Sequence, residues 1–322
     1  MKAAVYSQTG AAHEVLHVEE VDRPEPGVGE VRVRVRVSGV NPTDYKIRSG
    51  ATPRPIDGFQ IPHQDGAGTV DAVGEGVDSA RVGQEVWLWL AATRRWGTAA
   101  QWTVVPQEQA VPLPAGTSMD LGASLGVPAM TAHRCLHVDG PVTGRSVLVA
   151  GGAGAVGHFA IELARHGGAR VATTVSGKGK ASLAAAAGAD LVVNYHNDDA
   201  REQLRRFATI MDRIVEVNLA SNFDLDLSLA GPATTIVSFA ATTVDPVLPV
   251  RACMNANVTL RFVLLYGVPR QELVSASNDI NEAIAAGALT ELPVHRFSLD
   301  DIAAAHEAVE AGVVGKVLVD IE

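Results

Sequence analysis

The sequence predicts an α/β protein: a β-rich part, then a doubly wound parallel sheet, then a short return. Three observations carry this. Val31, Val33, Val35 and Val37 alternate strictly with Arg32, Arg34 and Arg36, the pattern of a strand with one buried and one wet face. From Ser146 onward, strand-like and helix-like segments take turns, as in a parallel sheet covered on both faces. A glycine-rich turn joins the first of those strands to its helix. The 322 residues leave room for two domains of about 100–200 residues each.

Taken in order, the first third is punctuated by Pro24, Pro26, Gly27, Gly29, Pro42, Pro53, Pro55 and Pro62, which suits short strands and turns. The arginines between the valines read as a solvated strand face. After Pro128 the pattern changes. Ser146 to Ala150 is a short apolar run, and Ala155 to Arg165 carries apolar residues at helical spacing. Ala169 to Val175 is strand-like, an alanine-rich helix follows, and the run DLVVNY ends at Tyr195. Buried strands are expected at Ile214 to Val217, Thr235 to Phe239 and Val258 to Leu265. A helix is expected from Leu299 to Gly312, with a last strand KVLVDI.

The net charge of −10 argues against broad binding to nucleic acid or anionic membranes, which both need cationic surfaces. The opening MKAAVYSQTG turns polar too soon for a signal-peptide core, so a cytoplasmic protein is expected. The uncharged run from Leu227 to Val244 holds Gly231, Pro232 and six Ser or Thr, a poor membrane span. Two cysteines, Cys135 and Cys253, are too few for a disulfide framework or a four-cysteine zinc lobe.

Directly after the first strand of the α/β part, Gly152, Gly154 and Gly157 satisfy G-x-G-x-x-G. The first glycine is expected to make the tight turn, the second to admit a pyrophosphate, and the third to let helix and strand pack closely. The strand before, the helix after and a second strand at the right distance give the motif its required context. Sites that prefer NAD hold the ribose with an acidic residue about 20 positions on. Between Glu162 and Asp190 this chain has none, and Ser176, Lys178 and Lys180 follow the second strand. Two lysines without a carboxylate suit the 2′-phosphate of NADPH.

The runs GVNPTDYKIRSG (39–50), DGAGTVDAVGEGV (65–77), GVPAMTAHRCL (126–136), SVLVAGGAGAVG (146–157), GADLVVNY (188–195) and FSLDDIAAAHEAVEAGVVGKVLV (297–319) extend along nearly the whole chain. In order and spacing they resemble the zinc-free quinone oxidoreductase (zeta-crystallin-like) branch of the medium-chain dehydrogenase/reductase superfamily. The resemblance implies a GroES-like catalytic domain from residues 1–121 and 266–322, a Rossmann domain at 122–265, and an active cleft between them. It also implies a homodimer or tetramer joined through the Rossmann sheets. By the same resemblance, Asn41 lies near the nicotinamide and Gly152 to Gly157, through Ala153, Ala155 and Val156, hold the pyrophosphate. Ser176, Lys180 and Tyr195 surround the 2′-phosphate, and Asn222 lies near the adenosine. Phe239, Ala240, Leu264, Leu265 and Tyr266 line the cofactor. Lys180 is preferred over Lys178 because it precedes Gly188 by eight residues, the family's interval. The chain departs from the family in three places. Lys46 stands where relatives often carry Tyr, His63 where they carry Gly, and EVNLASN where many carry D-x-V-G-G.

The zinc-dependent relatives place Cys near 41 and His-Glu near 64 and 65. Here those positions are Asn41, Gln64 and Asp65, and an amide cannot replace a thiolate or an imidazole on Zn²⁺. His63 is one position out of register and reads as a turn or cleft-rim histidine. Without a Lewis acid, alcohol oxidation is hard, whereas hydride addition to a quinone or enone needs less help. The expected activity is therefore NADPH-dependent reduction of quinones or other conjugated carbonyl compounds, with Asn41 and Lys46 as oxyanion donors. The rival activity is reduction of enoyl thioesters or alkenals. A rival of another class is a low-turnover cofactor-binding structural or RNA-interacting protein, as some zeta-crystallins are. Gly122 to Gly126 also fits the G-x-S-x-G nucleophile elbow around Ser124, but that elbow needs a preceding strand. PAGTSMDL reads instead as a loop and helix start capped by Ser118.

Overall fold

The computed structural model describes residues 1–241 and 244–322, so Thr242 and Thr243 of the uncharged run from Leu227 to Val244 lie outside the described residues. In chain order, β1 (Lys2–Val5) pairs antiparallel with β2 (His17–Glu20) around the short helix α1 (Ala12–Val15). Then come β3 (Glu30–Val40), α2 (Pro42–Ser49), β4 (Asp65–Val73), β5 (Glu85–Leu88), β6 (Trp102–Pro106), β7 (Ala110–Pro112) and α3 (Met119–Leu136). The alternating part follows: β8 (Ser146–Ala150), α4 (Ala155–His166), β9 (Arg170–Val175), α5 (Lys178–Ala186), β10 (Leu191–Asn194), α6 (Ala200–Phe207), β11 (Arg213–Glu216), α7 (Leu219–Ser228), β12 (Thr235–Ser238), α8 (Val250–Ala256), β13 (Thr259–Phe262) and α9 (Arg270–Ala285). The return is β14 (Val294–Ser298), α10 (Ile302–Glu310) and β15 (Lys316–Asp320). No helix among the described residues is long and apolar enough to cross a membrane.

The chain divides into two compact units, Met1–Val127 with Glu291–Glu322, and Pro128–Thr290. These limits differ from 121/122 and 265/266. The start of α3 stays with the β-rich unit because Ala123 packs into a cluster with Val37, Ala67 and Leu318. Helix α9 stays with the other unit, where Asp279 bonds His133 Nε2 at 2.8 Å and Thr290 donates its N–H to Glu162 at 3.1 Å. In the GroES-like β-rich unit, β3 is central, pairing antiparallel with β4, β6 and β15. Its alternating valines, Val31, Val33, Val35 and Val37, are buried as the pattern requires. Arg34 and Arg36 are exposed, but Arg32 is not solvated. It is buried, with Nε on Asp71 at 2.9 Å and a guanidinium nitrogen 2.7 Å from Glu25, because a buried cation must be paired.

The second unit is a Rossmann sheet of six strands in the order β10-β9-β8-β11-β12-β13, every neighbouring pair parallel. Leu148, Ala172, Val193, Ile214 and Ile236, one from each of five strands, share a core with Leu204 of α6 and Phe223 of α7. Full burial of such aliphatic side chains contributes about 1.5–3 kcal/mol each. The strand expected as buried from Val258 to Leu265 is instead the edge strand β13, with Thr259, Arg261 and Phe262 exposed. Among the described residues no strand pairs with its outer edge, where fewer neighbours cover it. The helix expected from Leu299 begins as a 3₁₀ turn, Leu299–Asp301, and continues as α10.

Candidate active site

In the Rossmann unit the chain steps outward from β8 through β9 to β10, then crosses back to β11 and runs outward through β12 to β13. The order therefore reverses between β8 and β11, and the carboxyl end of such a switch point is where open α/β sheets bind ligands. The sequence-expected residues gather at these strand ends. Gly151 to Gly157 follow β8, Ser176 follows β9 and Tyr195 follows β10. Asn222 lies in α7 after β11, Phe239 and Ala240 follow β12, and Leu264 to Tyr266 follow β13.

The glycines divide their work differently from the expectation. The tight turn is made by Gly151, whose φ of 72° lies in the left-handed region; Gly152 is not in that region. Gly152 is needed for packing, since a Cβ there would stand 2.1 Å from Thr173 Oγ1. A Cβ on Gly157 would stand 2.3 Å from the Gly151 carbonyl oxygen, so α4 can approach the turn only as glycine. On Gly154 the nearest atom to an added Cβ is 3.5 Å away, an ordinary contact distance, so this side of the turn is open. Gly154 is also the N-cap of α4 and has no side chain to cap it, and the first bond back to it comes from His158 N at 2.8 Å. The N–H groups of Ala155, Val156 and Gly157 precede that bond and lie at the positive end of the helix. Ala153 is buried. The backbone here fits a pyrophosphate.

Lys178 and Lys180 occupy the exposed first turn of α5, which contains no acidic residue. Cations at a helix N-terminus oppose the helix dipole, so this placement is favourable only with an anion nearby. Ser176 is half-buried just before it, and Tyr195 is 47% exposed with its ring against His196, centroids 4.4 Å apart. Phe239 and Ala240 are half-buried. Of the trio after β13, Leu264 is exposed, Leu265 buried and Tyr266 half-buried. Asn222 Nδ2 donates to Glu216 Oε1 at 2.9 Å. Glu216 and Asp226, absent from the sequence reading, form a buried carboxyl pair. Burial first, then the Glu216 charge, pushes Asp226 well above the carboxylate range.

In the β-rich unit, Asn41 is the N-cap of α2, Pro42 its first residue, and Asp44 accepts the Asn41 N–H at 2.7 Å. The Asn41 side chain is buried and held at both ends. Its Nδ2 donates to Asp65 Oδ2 at 2.7 Å, and Lys316 Nζ donates to its Oδ1 at 2.8 Å. Lys316 also donates to Asp65 Oδ2 at 3.0 Å, and Asp65 Oδ1 accepts the Val127 N–H at 2.7 Å. Burial raises the Asp65 carboxyl while Lys316, Asn41 and Val127 pull it down. Burial, followed by the Asp65 charge, pushes Asp44 up to about 8. Lys46 is half-buried on α2. Lys316 was missed because it reads as the polar start of a terminal strand, 275 residues from Asn41.

His63 is not a rim histidine. It is fully buried, at φ 77°, with Nδ1 2.8 Å from Ser38 Oγ and Nε2 3.0 Å from His306 Nε2. Ser38 Oγ lies 2.7 Å from Thr98 Oγ1, which donates to the Asp65 carbonyl at 2.5 Å. Burial, then the neighbouring His306 and Lys316 charges, drives His63 well below the usual imidazole range; burial and Arg48 bring His306 to about 3. The Ser124 decoy is resolved by its place inside α3, where its hydroxyl donates to the Asp120 carbonyl at 2.7 Å, while Ser118 Oγ accepts the Leu121 N–H at 3.0 Å. Among the described residues, no group of three or more His, Cys, Asp or Glu is placed to hold a metal ion.

Two family models match the chain: the alcohol dehydrogenase GroES-like domain over residues 27–115 and the zinc-binding dehydrogenase over residues 155–285. The quinone oxidoreductase of Lama guanicoe is 27% identical over 99% of this chain and 97% of its own. A mycobacterial quinone oxidoreductase structure is 31% identical with a TM-score of 0.85, covering 99% of both chains. The structure of Escherichia coli quinone oxidoreductase complexed with NADPH is 26% identical with a TM-score of 0.85, covering 99% of this chain and 100% of that one.

Proposed function

Because the chain belongs to the quinone oxidoreductase branch of the medium-chain dehydrogenase/reductase superfamily, we propose that it reduces quinones or other conjugated carbonyl compounds with NADPH and without zinc. The observation that carries this reading is the cradle at Gly151 to Gly157, open at Gly154, together with an acid-free α5 N-terminus carrying two lysines. When bound, NADPH supplies a hydride. The backbone of Gly152, Ala153, Gly154, Ala155, Val156 and Gly157 holds its pyrophosphate. Ser176, Lys180 and Tyr195 receive the 2′-phosphate, Asn222 lies toward the adenosine, and Phe239, Ala240 and Leu264 to Tyr266 lie along the cofactor.

Asn41 and Lys46 are proposed as donors to the acceptor's carbonyl oxygen, where negative charge grows as hydride arrives. Water supplies the final proton. A Lewis acid does not fit here. Asn41 and Gln64 are amides, and the one carboxylate of the set, Asp65, already has both oxygens hydrogen-bonded. A homodimer through β13 is supported by the exposed apolar side chains on and around that edge strand: Val247, Val250, Met254 and Phe262.

The test is NADPH oxidation against quinones, enones and enoyl-CoA esters, compared as kcat/KM, with metal content measured on the same preparation. Quinones or enones should lead, with no stoichiometric zinc and full activity in chelator. Enoyl-CoA esters in the lead would replace the substrate class. Tight NADPH binding without turnover of any acceptor would favour a cofactor-binding protein without catalysis.

A further inference from the structure

Asn41, Asp65 and Lys316 close a ring of hydrogen bonds inside the β-rich unit, and all three side chains are at most 2% exposed. An asparagine amide can usually present either end, because its oxygen and nitrogen are similar in size. Here it cannot. Turned over, its carbonyl would face the Asp65 carboxylate and its NH₂ would face the Lys316 ammonium, two like-pole contacts in a buried place. The ammonium on Oδ1 and the carboxylate on Nδ2 therefore fix one orientation. A ring of this shape consumes the Nδ2 proton on the same side as Oδ1. The other proton, anti to Oδ1, is left over, and the ammonium on Oδ1 draws electron density from the amide and makes that N–H a stronger donor.

We propose that Lys316, paired with Asp65, is a positioning residue that locks the Asn41 amide so that its remaining N–H, never its carbonyl, meets the acceptor's carbonyl oxygen. The inference rests on the reading above that Asn41 faces the acceptor. It also narrows that reading: the atom that Asn41 meets must be a hydrogen-bond acceptor, so a hydroxylated, already reduced ring is the poorer partner.

Lys316→Met alone strands a buried carboxylate and tests folding as much as function. The informative variant is Asp65→Asn/Lys316→Gln, which keeps polar groups at both places and removes both charges, so that all three amides can turn. With saturating NADPH, Asn41→Ala should lower kcat on the order of 100-fold, the cost of one donor to a developing oxyanion. The double variant should lose a similar factor in kcat, with NADPH Kd within about twofold of the parent. Adding Asn41→Ala to it should cost little more, because a free amide no longer helps. If Asn41→Ala alone leaves kcat unchanged, the acceptor-facing reading of Asn41 fails. If Asn41→Ala is slow and the double variant is fast, that reading stands and the lock is overturned. A double variant in which Asn41→Ala still costs its full factor also overturns it. Should the double variant not fold, Lys316→Arg carries the test. Its guanidinium still donates to both oxygens, so kcat should hold within about fivefold. A folded Lys316→Arg protein as slow as Asn41→Ala overturns the proposal.

Discussion

The two units prepare their shares of the chemistry by opposite means. The Rossmann unit offers backbone. Its free N–H groups stand at the start of α4, and what matters at Gly152 and Gly157 is that no side chain is there. The β-rich unit offers side chains. Residues 41, 65 and 316 come from the start of α2, the first residue of β4 and the first residue of β15, and each is held by the other two. The difference is one of locality. A backbone cradle is written in seven consecutive residues and fails at a single methyl group. A buried polar ring is written in three distant places, and its members must change together.

The sharpest way to break the comparison is Gly157→Ala. The added methyl would meet the Gly151 carbonyl oxygen at 2.3 Å and the Gly152 Cα at 2.8 Å, both backbone, so no flexible side chain can yield. We expect NADPH affinity to fall by more than about 100-fold, with stability lower by roughly 1–3 kcal/mol from overpacking. Fluorescence titration and thermal denaturation read the two separately. Near-normal binding would mean that the cradle tolerates side chains after all.

Next in size is Lys180→Ala, which asks whether the Rossmann unit depends on side chains anywhere. One charge-assisted contact to the 2′-phosphate contributes roughly 1.5–3 kcal/mol. NADPH should therefore weaken by about 10- to 100-fold while NADH is unchanged. Equal loss for both cofactors would remove Lys180 from 2′-phosphate recognition.

The smallest effect concerns the β-rich unit and its buried acid. Asp44 titrates at about 8 in the fold against 3.8 for an ordinary aspartate. The folded state therefore holds a proton that the unfolded state has lost between those values. Stability from this group is full below about pH 4 and is lost as pH climbs through about 8. Asp44→Asn mimics the protonated form and should flatten that decline. Its melting temperature should gain on the parent as pH rises from 5 to 9; parallel curves would show Asp44 ionised throughout.

Locality also decides what could be read without a structure. The valine alternation, the strand–turn–helix context of the glycines and the acid-free stretch after β9 are short-range patterns, and each corresponds to an element in place. The job of Gly152 was misassigned because the motif gives spacing and not φ, which belongs to Gly151. Arg32 looked like its neighbours Arg34 and Arg36, and only the fold brings Asp71 against it. The commitment of Asn41 to Lys316 depends on a tertiary contact that no local pattern encodes.

The buried chain from Thr98 to His306 has a direction. Thr98 spends its only hydroxyl proton on the Asp65 carbonyl, so Ser38 must donate to Thr98. Ser38 then has only lone pairs for His63, which must carry its proton on Nδ1. With burial keeping that imidazole neutral, its Nε2 is bare and accepts from His306 Nε2–H. The last lone pair in the sequence, on His306 Nδ1, has no partner. Four uncharged residues thus align their dipoles head to tail, with the negative end at His306. A string of neutral groups gives the interior a fixed polarity, and reversing any one link would require reversing them all.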